Sequence, residues 1–242
     1  MKKLILIGLA IASFSTANAQ WWGGKKVKGN GNEQTIERNV GNYDEVSVSG
    51  SFDVDLVSGT EGKLTVTAEE NLLPHIVTEV KNGELIIKTE QGFELKPSFN
   101  KEILIVVPFE SLNAVSLAGS GDVVTKSTIK TENFKADLAG SGDLNVSVES
   151  KTVKSRLAGS GDIELSGKTT DFECSLSGSG DIDAKGLKAV NVEASISGSG
   201  DIEVHCDGEL KARVSGSGDI DYYGNPTKED SKVSGSGDVS KG

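Results

Sequence analysis

The sequence predicts an all-β fold: a single-stranded parallel β-helix, or solenoid, with coils of about 19 residues. Three observations predict it. The tetrapeptide Gly-Ser-Gly-Asp begins at Gly119, Gly140, Gly159, Gly178, Gly198, Gly216 and Gly235, at steps of 21, 19, 19, 20, 18 and 19 residues. The positions two before and one after it are aliphatic in every copy. Aromatic residues are only 5% of the chain while Gly supplies 30 of 242 residues, which suits a repeat with a turn in each unit and a narrow interior.

Aligned on the tetrapeptide, the repeats form columns. Leu117, Leu138, Leu157, Leu176, Ile196, Val214 and Val233 precede the turn by two. Val123, Leu144, Ile163, Ile182, Ile202, Ile220 and Val239 follow it. Val115, Ala136, Ser155, Cys174, Ala194, Ala212 and Ser231 form a small or slim column four residues before it. Polar residues fill the positions between, the period-2 alternation of two half-buried strands joined at a glycine corner. A hairpin would pair the two strands within one unit, whereas a solenoid pairs each strand with its equivalent in the next. Uniform columns favour the solenoid, right-handed by the general rule for parallel crossovers. Seven coils at ~4.8 Å make a rod of roughly 30 Å. The outward columns then oppose Lys154 to Glu173, Glu193 to Lys211, Lys211 to Asp230, and Asp137 to Arg156.

The turn residues have their own physical reason. Glycine supplies positive φ at the corner, and Ser and Asp side chains bond nearby backbone N–H groups.

Upstream the pattern loosens. Residues 1–19 read as a signal peptide, with Lys2 and Lys3, an apolar run over 4–12, and the cleavage site Ala17-Asn18-Ala19. The apolar run is too short to span a bilayer, and no Cys follows the cleavage site for lipid attachment. Residues 20–34, with Trp21 and Trp22, read as a flexible leader, 35–110 as irregular N-terminal β coils, and 111–242 as the regular solenoid. Strand-like runs cover 45–48, 52–57, 63–68, 76–81, 84–89 and 103–107, and Asn82-Gly83 signals a hairpin. A helical turn is expected over 69–73, before Pro74. Gly50-Ser51-Phe52-Asp53 is a degenerate copy of the turn, 69 residues before Gly119, room for three longer coils or, less favoured, a small separate β domain. The last coil ends four residues after Asp238 without an obvious cap, so end-to-end self-association or cover by another chain is expected.

The chain carries −11, and −13 once cleavage removes two lysines (23 − 36). Such a charge repels nucleic acid and anionic lipid, and both are discounted as partners. Two cysteines, Cys174 and Cys206, do not make a disulfide framework, and their pairing stays open.

The order of motifs is informative. Gly29-Asn30-Gly31-Asn32 is followed by the run from Glu45 to Leu56, by Glu69-Glu-Asn-Leu-Leu-Pro, by Asn82-Gly-Glu-Leu-Ile-Ile, and by the repeated Leu-Ala-Gly-Ser-Gly-Asp. In this it resembles the putative auto-transporter adhesin, head GIN domain family. The resemblance implies an exported β-helical protein of Gram-negative bacteria and supplies no catalytic residues to carry over.

The remaining chemistry is acidic. Asp122, Asp143, Asp162, Asp181, Asp201, Asp219 and Asp238 share one column, with Glu164, Asp183, Glu203 and Asp221 two residues on. Carboxylates stacked about 5 Å apart need compensation. Asp162, Glu164, Asp181, Asp183, Asp201, Glu203, Asp219 and Asp221 are therefore candidate Ca²⁺ ligands. The competing reading, backbone hydrogen bonding by turn carboxylates with no cofactor, is preferred. His75 and His205 lie in different regions, and Cys174 falls in the inward column. A polysaccharide lyase or hydrolase using acidic pairs beside Arg156 or Arg213 is the enzyme alternative, but carboxylates repeated in every coil mark a structural ladder. The sequence thus predicts a non-enzymatic binding or structural protein of the periplasm, outer-membrane surface or exterior, with a glycan or surface protein as partner.

Overall fold

The computed structural model describes residues 24–242; the expected export segment, Trp21 and Trp22 lie outside the described residues. The strands are β1 (Lys25–Lys28), β2 (Glu33–Asn39), β3 (Glu45–Gly50), β4 (Asp53–Ser58), β5 (Lys63–Glu69), β6 (Ile76–Lys81), β7 (Glu84–Thr89), β8 (Phe93–Lys96), β9 (Leu104–Phe109) and β10 (Ala114–Gly119). They continue as β11 (Val123–Thr125), β12 (Ile129–Gly140), β13 (Leu144–Gly159), β14 (Ile163–Gly178), β15 (Ile182–Gly198), β16 (Ile202–Cys206), β17 (Glu209–Gly216), β18 (Ile220–Tyr223), β19 (Lys228–Gly235) and β20 (Val239–Lys241). The expected helical turn is a 3₁₀ turn at Leu73–His75, around Pro74 rather than before it.

Every coil from β10 onward stacks in parallel on its predecessor, with like residue on like. Gly119 pairs with Gly140, Gly140 with Gly159, Gly159 with Gly178, Gly178 with Gly198, Gly198 with Gly216 and Gly216 with Gly235. The corner requires glycine twice. The first glycine has φ between +140° and +152°, a conformation L side chains rarely adopt. The second is held by contact: a Cβ on Gly161 would lie 1.9 Å from the Gly142 carbonyl oxygen. The next N–H groups use that proximity, as Ser141 N donates to Gly119 O at 2.9 Å and Gly142 N to the same oxygen at 3.1 Å.

Both aliphatic columns face the interior, at 3% exposure or less from Leu117 to Val214 and 1% or less from Val123 to Ile220. The slim column from Val115 to Ala212 is buried as well, and a further inward column does not stand out in the sequence: Phe134, Val153, Phe172, Val192 and Leu210 stack in register and are buried. Each fully buried side chain contributes about 1.5–3 kcal/mol of hydrophobic stabilisation. In the coil of β19 and β20 the pattern becomes polar. Glu229 takes the place of Leu210 and accepts from the Tyr222 hydroxyl at 3.0 Å, and Val233 is 40% exposed.

The four expected charge pairs stand directly opposite one another. Lys154 forms an ion pair with Glu173, and Lys211 reaches Glu193 at 3.5 Å. Asp230 takes Arg213 at 2.6 Å instead of Lys211.

The N-terminal part corrects the expectation of three longer coils. Gly119 stacks directly on Gly50, so the degenerate turn belongs to the coil just before the regular ones. After β3 and β4 the chain leaves the stack and returns on the other side of them: β7 pairs in parallel with β3, and β9 with β4. This single extra coil is then covered by antiparallel strands, β6 on β7, β5 on β9 and β2 on β5. With β3 paired to β7 and β10, and β4 to β9 and β11, no position in the stack remains for further coils. The β6–β7 hairpin turns at Asn82 and Gly83, whose φ values of +54° and +86° match the mirror-image turn such dipeptides favour.

The flexible leader over 20–34 is also corrected for its described part. β1 pairs in parallel with β8, and β2 begins at Glu33. The cause is Glu69, a carboxylate only 1% exposed. It accepts from Gly31 N at 2.5 Å, Ser98 N at 2.8 Å and Ser98 Oγ at 2.6 Å. Gly29 lies so close that a Cβ there would meet Glu69 Oε2 at 1.7 Å. The Gly-Asn-Gly-Asn segment therefore wraps a buried charge, and Asn71 adds a bond to Lys28 O at 2.7 Å. Burial opposes ionisation of Glu69, but the bonds from Ser98 and Gly31, with the charge of Lys101, outweigh it and lower its pKa below the ordinary 4.5. A lowered folded pKa stabilises above the ordinary value, and that stabilisation is lost as pH falls through the lowered one. Glu69→Gln, which turns a donor toward these N–H groups, is expected to cost about 1–3 kcal/mol at pH 7 in urea denaturation. The gap to the parent should narrow below pH 4.5; equal stability at pH 7 would show that the carboxylate does not hold this segment.

Candidate binding surface along the aspartate ladder

The Asp of each turn stands at the corner where one strand ends and the next begins. Its side chain reaches along the axis rather than outward. Asp122 N donates to Asp53 Oδ1 at 3.2 Å, and Asp143 N to Asp122, Asp162 N to Asp143, and Asp181 N to Asp162 at 3.2, 3.2 and 2.9 Å. The series continues with Asp201 N to Asp181, Asp219 N to Asp201 and Asp238 N to Asp219, at 2.8, 2.8 and 2.7 Å. Each carboxylate from Asp53 to Asp219 thus accepts one backbone N–H of the following coil. At the start of the ladder, burial holds the Asp53 carboxyl above its ordinary value; the bond from Asp122 N opposes this, and the charges of Asp122, Glu102 and Asp55 add to it.

Beside the ladder runs a groove of about 590 Å³, walled by Asp122, Asp143, Asp162, Asp181 and Asp201 on one side and Asn145, Glu164, Asp183 and Glu203 on the other. Leu144, Ile163 and Ile182 also line it. The second wall is partly neutralised. Asn145 Nδ2 donates to Glu164 at 2.6 Å, and Lys185 Nζ bridges Asp183 at 2.7 Å and Glu203 at 2.6 Å. These two bonds hold the Lys185 pKa above its ordinary value. Lys185 is inconspicuous in the sequence; its signal is the repeat step of 20 followed by 18. The extra residues make β15 bulge against both neighbours.

The eight acidic candidates therefore divide. Asp162, Glu164, Asp181, Asp183, Asp201 and Glu203 share the groove. Asp219 continues the ladder, and Asp221 accepts from Ser240 Oγ at 2.5 Å. Ca²⁺ takes ~6–8 oxygens converging on one point. Among the described residues no three His, Cys, Asp or Glu side chains converge in that way.

The other reactive side chains are separate. His75 Nδ1 lies 2.7 Å from Glu90, with its ring stacked on Phe93. His205 sits between Lys188 at 3.1 Å and Asp207 at 3.3 Å. Cys174 and Cys206 are free and buried, and burial raises both thiol pKa values, which disfavours the nucleophilic thiolate. Arg213 is tied to Asp230.

The ladder separates hydrogen bonding from charge by mutation. Asp162→Ala leaves Asp181 N without its acceptor and is expected to lose about 0.5–1.5 kcal/mol in urea denaturation. Asp162→Asn keeps a carbonyl acceptor and removes one stacked charge, so it should equal the parent or exceed it. An Asn variant that falls as far as the Ala variant would show that the negative charge itself is required.

Known proteins give the same architecture. A crystal structure of a putative adhesin from Bacteroides fragilis superimposes with a TM-score of 0.79 at 23% identity, covering 89% of this chain and 99% of that one. A putative lipid binding protein from Parabacteroides distasonis gives 0.76 at 28% identity, covering 90% and 100%. A putative adhesin from the same species gives 0.71 at 25% identity, with the same coverage. No curated protein sequence matches the chain. The model of one family matches residues 42–226, from the coil of Gly50 through the sixth turn, at Gly216. By that match the chain belongs to the family described as putative auto-transporter adhesin, head GIN domain.

Proposed function

We propose that this protein is an exported, non-enzymatic, adhesin-like rod of the cell envelope that binds an extended partner, a glycan or a surface protein, along its acidic groove. The observation that carries this reading is the groove itself: one carboxylate pattern repeated over five consecutive coils. A repeated wall suits a repeating polymer, because each added unit meets the same acceptors and weak contacts multiply. The sugar hydroxyl is the matching donor. The interior is filled by apolar side chains, so binding is assigned to the outside of the rod. Family membership supports a surface-binding role. The buried thiols and the separation of the two histidines support a role without catalysis. No described helix is long and apolar enough to cross a membrane, which suits attachment by contact.

A glycan array with purified residues 20–242 tests this reading. Binding to a repeating glycan is expected, weakened about tenfold or more by the triple change Asp143→Asn, Asp162→Asn and Asp181→Asn. Those changes keep the carbonyl acceptors of the ladder, so the fold is expected to survive. Binding that ignores the triple variant would remove the groove from the account. Release of reducing ends from a bound polysaccharide would make the protein an enzyme.

A further inference from the structure

The end of the rod opposite the polar coil carries a feature that groove binding does not use. β1 and β8 form a two-stranded sheet of their own beside the stack. Val27 and Leu95 pack against the core, so the alternate residues Lys26, Lys28, Glu94 and Lys96 face outward. The chain then turns through 97–101. Lys101 N donates to Ser98 O at 3.0 Å, and Asn100 sits at φ +59°. Ser98 is pinned by two bonds to the buried Glu69. At the tip of this fixed turn stands Phe99, 93% exposed. Among the described residues the next most exposed large apolar side chains are Val190 at 48% and Val233 at 40%.

The charge of the β1–β8 sheet that leads into the Phe99 turn is reversed from that of the chain. Lys25, Lys26, Lys28, Lys96 and Lys101 stand within residues 25–28 and 93–101, against one acid, Glu94. The strands β1 and β8 alone carry 4 − 1 = +3, and the rest of the chain −11 − 3 = −14; beyond the turn Lys101 pairs with Glu33 at 3.2 Å, and the exposed Glu70 and Glu90 flank the sheet. Glu102 follows Lys101 but bears on Asp53. Glu94 is shared between Lys26 at 3.8 Å and Lys96 at 3.3 Å; Lys25 and Lys28 are exposed and have no acidic partner among the described residues.

We propose that this end docks on an anionic lipid bilayer, with Phe99 inserted at the headgroup boundary and the lysines of β1 and β8 on lipid phosphates. An aromatic ring beside several lysines is the composition of interfacial anchors. Basic clusters are drawn to anionic leaflets within about a Debye length. The whole-chain charge argues against such a surface, but a rod can present one end. The acidic shaft is then repelled from the membrane, so the rod stands on its basic end and holds the groove away from the lipid. The turn restrained by Glu69 keeps the ring extended, so little ordering is required on contact.

Co-sedimentation of residues 20–242 with vesicles tests this, using phosphatidylcholine alone and phosphatidylcholine with about one-third phosphatidylglycerol. Binding is expected to the anionic vesicles only, lost at about 0.5 M salt. Phe99→Ser and the pair Lys26→Glu with Lys28→Glu should each reduce partition about fivefold or more, with melting unchanged since all three side chains face solvent. No partition into anionic vesicles, or a Phe99→Ser variant that binds like the parent, would overturn the proposal and leave a protein partner as the occupant of the ring. Glycan binding by the groove is measured without lipid, so the two readings fail separately.

Discussion

The corner between one coil and the next admits only glycine. At each corner the second glycine lies over its equivalent so tightly that any side chain would occupy the carbonyl oxygen below, at 1.8–2.0 Å. Because the corners nest, the strands on either side fall into one register, and the register carries everything else. It puts the apolar columns inside and aligns the outward charges. It also brings each Asp carboxylate to the N–H of the next. The hydrogen bonds and packing of one coil are therefore the condition for those of the next, as in any repeat whose units contact only their neighbours.

Such a stack has two ends to close, and the chain treats them differently. At the N-terminal end it doubles back, adds one coil through β7 and β9, and covers that coil with antiparallel strands. Glu69 then fastens β1 and the following loop to this cover. At the other end the register continues, but Glu229 replaces a buried leucine and Ser231 replaces an alanine. A carboxylate in a core column makes further apolar stacking unfavourable, one of the ways proteins blunt an edge.

The regular half is legible in the sequence because seven near-identical units average out the ambiguity of any single turn. The aliphatic columns, the glycine corners and the opposed charges all follow from the spacing of the tetrapeptide. The column from Phe134 to Leu210 is hidden because its residues vary in size and lie six positions before each turn, farther from the tetrapeptide than the other columns. The N-terminal part is legible as strands and hairpin, but not as topology. Nothing in a linear run shows that β7 and β9 return to the other side of β3 and β4. Gly-Asn-Gly-Asn has the composition of a linker, since its reason, a carboxylate 38 residues further on, is non-local. The acidic column is visible, but its use is not: whether stacked aspartates serve a cation or their own backbone depends on where Oδ1 points. Lys185 needs the bulge in β15 to bring it between two carboxylates.

The two proposed binding surfaces divide along the rod, a repeated acidic groove on the shaft and the lysine-rich β1–β8 sheet beside Phe99 at one end. Both depend on the coil of Gly50 lying directly beneath that of Gly119. The serines that follow these glycines are 69 residues apart in sequence, yet their hydroxyl oxygens are 2.9 Å apart. Cross-linking through Ser51→Cys and Ser120→Cys tests this most directly, because strand spacing of about 4.8 Å falls within the range a disulfide spans. An intramolecular disulfide is expected under mild oxidation, seen by mass spectrometry with Cys174 and Cys206 still reduced. Two exposed thiols that stay free under the same oxidation would contradict the stacking on which the structure rests.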